Sequence, residues 1–193
     1  GTIIARLRAG ETCALVSDAG MPAISDPGET LVAACAREDI PVYVVPGPTA
    51  AISALTVSGL PTGRFTFEGF LSVNKRSRRR HLEQVEGETR TMVFYEAPHK
   101  LRRTLSDFEK LFGGDRRIAV VRELTKVHEE VWRTTLGEAA AHYREREPRG
   151  EYVLVIAGAE ESGNEETAYT LEEAVDMARE LLEGGAPPSE AAK

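Results

Sequence analysis

Ser17-Asp18-Ala19-Gly20-Met21-Pro22-Ala23-Ile24-Ser25-Asp26-Pro27-Gly28 follows an apolar run, residues 12–16, and precedes Leu31, Val32 and Cys35 at helical spacing. A second turn, Pro46-Gly47-Pro48-Thr49-Ala50-Ala51, repeats the arrangement after the apolar residues 42–45. Strands that break into Gly/Pro loops before a helix leave backbone N–H and C=O groups unpaired at the carboxyl edge of a sheet, where open α/β folds bind small molecules. The pattern predicts an α/β fold that holds a compact polar ligand. Neither turn contains Gly-x-Gly-x-x-Gly or Gly-x-x-x-x-Gly-Lys-Ser/Thr, which argues against NAD and ATP. Ordinary βα turns use the same residue types, so motifs further along must decide.

Outward from these turns, the chain divides into three expected regions: 1–62, 63–159 and a tail, 160–193. The hinge between the first two is Gly59-Leu60-Pro61-Thr62-Gly63, rich in breakers and without periodicity. In the first region a helix over residues 2–9 ends at Gly10, and strands are expected over 12–16 and 42–45. In the second, Phe65-Thr66-Phe67-Glu68-Gly69-Phe70 alternates like a strand. Strands over 91–95, 118–122 and 151–156, a shorter one near Val131, a helix with Leu101, Leu105, Phe108 and either Leu111 or Phe112 on one face, and a helix starting at Glu138 complete it. Strands outnumber simple βα alternation, so a mixed sheet is expected. In the tail, Leu171, Ala174, Val175, Ala178, Leu181 and Leu182 fit an amphipathic helix, and Ser189 a following N-cap.

The 193 residues carry a net charge of −7. Ten acidic and two basic residues fall in 160–193, leaving 21 acidic and 22 basic in the rest. The acidity belongs to the tail. Lys75, Arg76, Arg78, Arg79 and Arg80 crowd six positions before His81, a block that can neutralise several phosphates of RNA, or simply form a solvated helix face. No run of about eighteen apolar residues and no signal pattern occurs, so no membrane partner and a cytoplasmic location are expected. Cys13 and Cys35 sit among apolar neighbours and are expected as buried thiols. His81, His99, His128 and His142 lack ligand spacing, and no metal site is expected.

Phe94-Tyr95-Glu96-Ala97-Pro98-His99-Lys100 and Arg122-Glu123-Leu124-Thr125-Lys126 complete a series of four ordered motifs. Together they resemble the ribosomal RNA small subunit methyltransferase I group, a branch of the tetrapyrrole (corrin/porphyrin) methylase superfamily, from residue 1 to about 159. The resemblance implies a two-lobed α/β fold with the cofactor, S-adenosyl-L-methionine, in the cleft between lobes, and a helical C-terminal tail similar to a partial helix-turn-helix-like extension. It implies methyl transfer to the ribose 2′-hydroxyl of a decoding-site cytidine in small-subunit ribosomal RNA, in the 30S particle, by a homodimer. Members usually open with a strand, a Thr-Pro-Ile-Gly-Asn loop and a Glu-Asp-Thr-Arg segment. None is present here, so the chain is expected to begin inside the first domain. Met21 replaces a usual Thr, Ala97 a Ser and Lys100 an Arg, whose bidentate grip Lys does not reproduce.

By the same resemblance, Ser17, Asp18, Met21, Thr49, Ala50, Glu96 and Leu124 hold the cofactor. Asp18 suits an ammonium or ribose hydroxyls, or else stabilises its own turn. Transfer from a sulfonium to oxygen demands in-line positioning above all, and a proton acceptor near the hydroxyl helps. Glu96, His99 and Glu123 are the candidates for that acceptor, while Lys100, Arg122 and Lys126 suit phosphates. Two other readings fit the sequence: a methyltransferase acting on a tetrapyrrole or corrin precursor, against which the basic block counts, and a non-catalytic RNA-binding fragment.

Overall fold

The computed structural model describes residues 1–160 together with Arg179 and Gly184. Gly1–Ala159 form one compact unit and Glu160–Lys193 another. The helix expected over 171–182 lies outside the described residues, Arg179 apart, as does the cap at Ser189.

Alternating side chains build the sheet. Strands β1 (Phe65–Phe70), β2 (Thr91–Glu96), β3 (Arg117–Arg122), β4 (Glu130–Thr135) and β5 (Tyr152–Ile156) join in the order β1-β2-β5-β3-β4. The β1–β2 pair is parallel and the other three pairs are antiparallel, giving the mixed sheet expected from the strand count. Because β2 and β3 both run against β5, β1, β2 and β3 end at one edge. Glu96 and Arg122, the last residues of β2 and β3, both pair with Tyr152.

Each central strand buries both faces, as strands covered on both sides must. On one face Met92, Phe94, Ile118, Val120, Leu154 and Ile156 meet helices α4 (Lys75–Val85), α5 (Pro98–Phe112) and α6 (Leu136–Glu145). On the other, Val93, Ala119, Val121, Val153 and Val155 meet α3 (Ala50–Val57) through Ala51, Ala54 and Leu55. The small alanines let the α3 backbone approach the sheet closely.

The helix starts follow local chemistry. Asn74 Oδ1 accepts from the backbone N–H groups of Arg76 and Ser77, and Thr49 and Thr135 cap α3 and α6. Pro98 opens α5 at a position where its missing N–H costs nothing. Leu101, Leu105, Phe108 and Phe112 then form the buried stripe expected from their spacing. Helices α1 (Thr2–Arg8) and α2 (Glu29–Arg37) are linked by an Arg8–Glu38 ion pair.

Residues 12–16 and 42–45 depart from expectation. Both are apolar enough for buried strands, yet neither joins a ladder among the described residues, and Val16, Tyr43 and Val45 are each more than 80% exposed. An apolar run marks capacity for burial, but a strand also needs a partner for its backbone groups. Cys13, within the first run, is correspondingly exposed rather than buried; Cys35, on α2, is buried.

Candidate cofactor cleft

The two Gly/Pro turns meet. The backbone N–H of Met21 donates to Pro48 O at 3.1 Å. Gly20, at φ +69°, lies so close beneath Pro48 that a Cβ would sit 2.9 Å from the Pro48 carbonyl oxygen. Ser17 Oγ donates within its own turn, 3.1 Å from Gly20 O. Ala23 and Ser25 hold φ values of 66° and 59° without being glycine, local strain of the kind that collects at ligand-binding loops.

The second turn is tied to the sheet edge. Thr49 caps α3, and the next free N–H, that of Ala51, donates to the Tyr95 hydroxyl at 3.0 Å. Tyr95 packs between Phe67 and Phe70, with ring centroids 5.1 and 5.5 Å away. This trio depends on a bulge in β1 between Phe67 and Gly69, where Gly69 takes φ +61°. Glu68, the extra residue, reaches His81 on α4 at 2.8 Å. Burial raises the Tyr95 phenol above its ordinary value, keeping it a neutral hydroxyl. Leu124, just beyond β3, packs against the α3-side core. The two turns and the ends of β1, β2 and β3 thus converge on one place, with Asp18 exposed on the first turn and Ala50 exposed at the second.

Two carboxylates expected to face the reaction are otherwise engaged. Glu96 is 2% exposed: one oxygen accepts from the Ala97 N–H at 2.8 Å, the other from Thr104 Oγ1 at 2.5 Å. Thr104 in turn accepts from Arg78 Nη2 at 2.9 Å, and Arg78 Nε donates to Asp107 at 2.8 Å. Arg78, 4% exposed, is therefore a buried tie between α4 and α5 rather than a phosphate contact. Glu96 is the end of that chain, buried and with both oxygens already accepting a hydrogen bond. Glu123, in the left-handed region at φ 50°, accepts from the Glu151 N–H at 3.0 Å and from Lys126 Nζ at 3.1 Å. These donors hold its carboxyl below the usual range, which makes it a poor base.

The remaining candidates are distributed as follows. Lys126 also pairs with Glu151 at 2.9 Å, and Arg122 with Glu130 at 3.0 Å. His99 is exposed at the second position of α5 and makes no side-chain hydrogen bond among the described residues; Lys100 beside it is half-buried. Lys75, Arg76, Arg79 and Arg80 are exposed on α4, Arg79 pairing with Glu83 at 2.7 Å. Among the described residues, no three His, Cys, Asp or Glu side chains are placed to hold a metal, and no helix is long and apolar enough to cross a membrane.

Sequence reasoning missed Tyr95, Thr104 and Asp107. Thr104 carried a signal: it is a polar residue on the apolar stripe of α5, which calls for a buried partner. Arg78 carried another, being in phase with Leu82 and Val85 on the inward face of α4.

The signature of the Tetrapyrrole (Corrin/Porphyrin) Methylases matches residues 2–140. The ribosomal RNA small subunit methyltransferase I of Synechocystis sp. is 48% identical over 191 residues, covering 99% of this chain and 68% of that protein. Its namesake from Thermotoga maritima is 47% identical, over 82% of this chain and 70% of that one. Among solved structures, the methyltransferase CobJ superposes with a TM-score of 0.61 at 20% identity, over 82% of this chain and 70% of that chain. Uroporphyrin-III C-methyl transferase from Thermus thermophilus, complexed with S-adenosyl homocysteine, gives 0.53 at 23% identity, over 81% and 70%. The structural likenesses establish the fold, and the sequence relatives the branch. The chain belongs to the tetrapyrrole (corrin/porphyrin) methylase family and, within it, to the ribosomal RNA small subunit methyltransferase I group.

Proposed function

We propose that this chain is an S-adenosyl-L-methionine-dependent methyltransferase acting on the ribose 2′-hydroxyl of a cytidine in small-subunit ribosomal RNA. The observation that carries the reading is the convergence of the two Gly/Pro turns, through Met21–Pro48 and Ala51–Tyr95, on the edge where β1, β2 and β3 end. The names of the sequence relatives supply the substrate class, and the S-adenosyl homocysteine bound by a protein of the same fold supplies the cofactor class. The 30S particle as substrate, a cytoplasmic location and a homodimer are part of the same proposal.

Residues on the two turns fit that cofactor. Asp18 presents an exposed carboxylate, without a hydrogen bond or ion pair among the described residues, for an ammonium or hydroxyls, and Ser17, Met21, Thr49, Ala50 and Leu124 complete the walls. Bound there, the cofactor would supply an electrophilic methyl group. His99 receives the proton that the 2′-hydroxyl loses as its oxygen gains the methyl. It is assigned that role because Glu96 and Glu123 are committed to other donors, whereas His99 is exposed beside the end of β2. Glu96 instead fixes the backbone entering α5. Lys100, Arg122 and Lys126 are assigned to phosphates near the acceptor, Lys126 releasing the exposed Glu151 carboxylate, whose pairing is weak in water.

The test is calorimetric titration with S-adenosyl-L-methionine, followed by methyl transfer to undermethylated small ribosomal subunits. Saturable binding and 2′-O-methylated cytidine are expected. His99→Ala should lower turnover by about 100-fold or more while leaving cofactor affinity within about twofold. Absence of cofactor binding, or transfer to a tetrapyrrole but not to RNA, would overturn the reading.

A further inference from the structure

Helices α4 and α5 lie on the same face of the sheet and leave an open groove of about 320 Å3 between them. Lys75 and Arg79 line it from α4, Arg103 and Lys110 from α5, with Leu82 and Leu111 as its apolar floor. Its one acidic lining residue, Asp107, is neutralised from within by Arg78 at 2.8 Å, with Arg103 at 3.9 Å. Lys75 and Lys110 form no ion pair among the described residues. The lining therefore carries five cations against the one carboxylate of Asp107, with Arg79 also paired to Glu83 at its rim, and is net positive although the whole chain is acidic.

We infer that this groove is a surface for the phosphate backbone of RNA, lined by Arg103 and Lys110 as well as by the α4 cations, with Arg78 as the buried post that sets its width. The inference rests on the reading of the chain as an RNA methyltransferase. Arg103 and Lys110 stand seven residues apart, about 10 Å along α5, so the charges meet a string of anions rather than one. Their side chains are exposed and long, without the convergent buried donors that a small anion would need. The Arg78–Thr104–Glu96 chain also ends on the Ala97 N–H, so the groove is rigidly joined to the backbone that carries His99. RNA seated in the groove is thereby held in fixed relation to the transfer site.

The experiment measures binding of an in-vitro-transcribed small-subunit ribosomal RNA by the 193-residue chain, by anisotropy, between about 50 and 300 mM KCl. Replacing both Arg103→Ala and Lys110→Ala should weaken binding at least about fivefold at 100 mM salt. It should also make the slope of log K against log salt shallower by about 1.4, two contacts at about 0.7 each for single-stranded RNA. Cofactor affinity should not move. A control pair outside the groove, Arg117→Ala with Arg144→Ala, removes the same charge and should change affinity less than twofold. Unchanged binding by the groove variant, equal loss in the control, or competition by poly-glutamate as strong as by RNA would overturn the groove assignment alone. Failure of the unsubstituted chain to bind RNA at all would overturn the functional reading with it.

Discussion

Gly20 is the residue on which the meeting of the two turns depends. Alanine there would have to hold a left-handed backbone, costing roughly 1–2 kcal/mol, and would bring its methyl 2.9 Å from Pro48 O. Gly20→Ala is expected to lower affinity for S-adenosyl-L-methionine by about tenfold or more, whereas Gly63→Ala, in open space, should leave it unchanged; paired titrations check this. Glu123 makes a second prediction, in pH. Its native carboxyl lies below its ordinary 4.5, so its contribution is full above that value and is lost as pH falls through the native one. Lys126 lies above its ordinary 10.5, so its share is full below that and is lost as pH rises through its own native value. The turn after β3 should be held most firmly between about pH 5 and 10. Exchange protection of the Glu151 amide should fall on acidification, and Glu123→Gln should flatten that dependence; a flat profile in the unsubstituted chain would refute the coupling.

At the scale of elements, α4 and α5 are joined by charge inside an apolar contact. Arg78→Met would leave Thr104 without its donor and Asp107, partly exposed, with only the more distant Arg103, and is expected to destabilise the unit by about 1–3 kcal/mol, measured by urea unfolding. Arg76→Met, two residues away and exposed, should cost less than about 0.5 kcal/mol. Sequence alone read α4 as one basic surface because five cations in six positions swamp the helical phase; only the alignment of position 78 with Leu82 and Val85 separates the buried one. The same limit explains Glu96. Its place at a strand end was legible, but whether a carboxylate there turns toward a ligand or toward α5 depends on Thr104, eight residues on, and on Arg78, eighteen residues back. By contrast, β2, β3 and β5 were readable to within a residue or two, because both their faces are apolar and their ends are marked by charge.

Across the whole molecule, charge is segregated along the chain. Residues 160–193 carry ten acidic and two basic side chains, so a chain ending at 159 would change from −7 to +1. That shorter chain should associate with RNA faster at low salt, with the difference fading above about 0.3 M as screening shortens the reach of the tail's charge; stopped-flow association rates would show it. Global pairing was the least legible property. Residues 12–16 and 42–45 have the composition of core strands, and no local pattern states whether a partner for their backbone is at hand. The consequence is colloidal. Val42-Tyr43-Val44-Val45 is β-prone, uncharged and exposed, and shorter than the roughly six residues that stack with copies of themselves into fibrils. Pro41 and Pro46 bracket it, each unable to donate to a growing ladder, and so act as gatekeepers that keep the segment too short to template. Replacing both prolines with valine would join the run to its neighbours, and solubility rather than catalysis would be the first property lost.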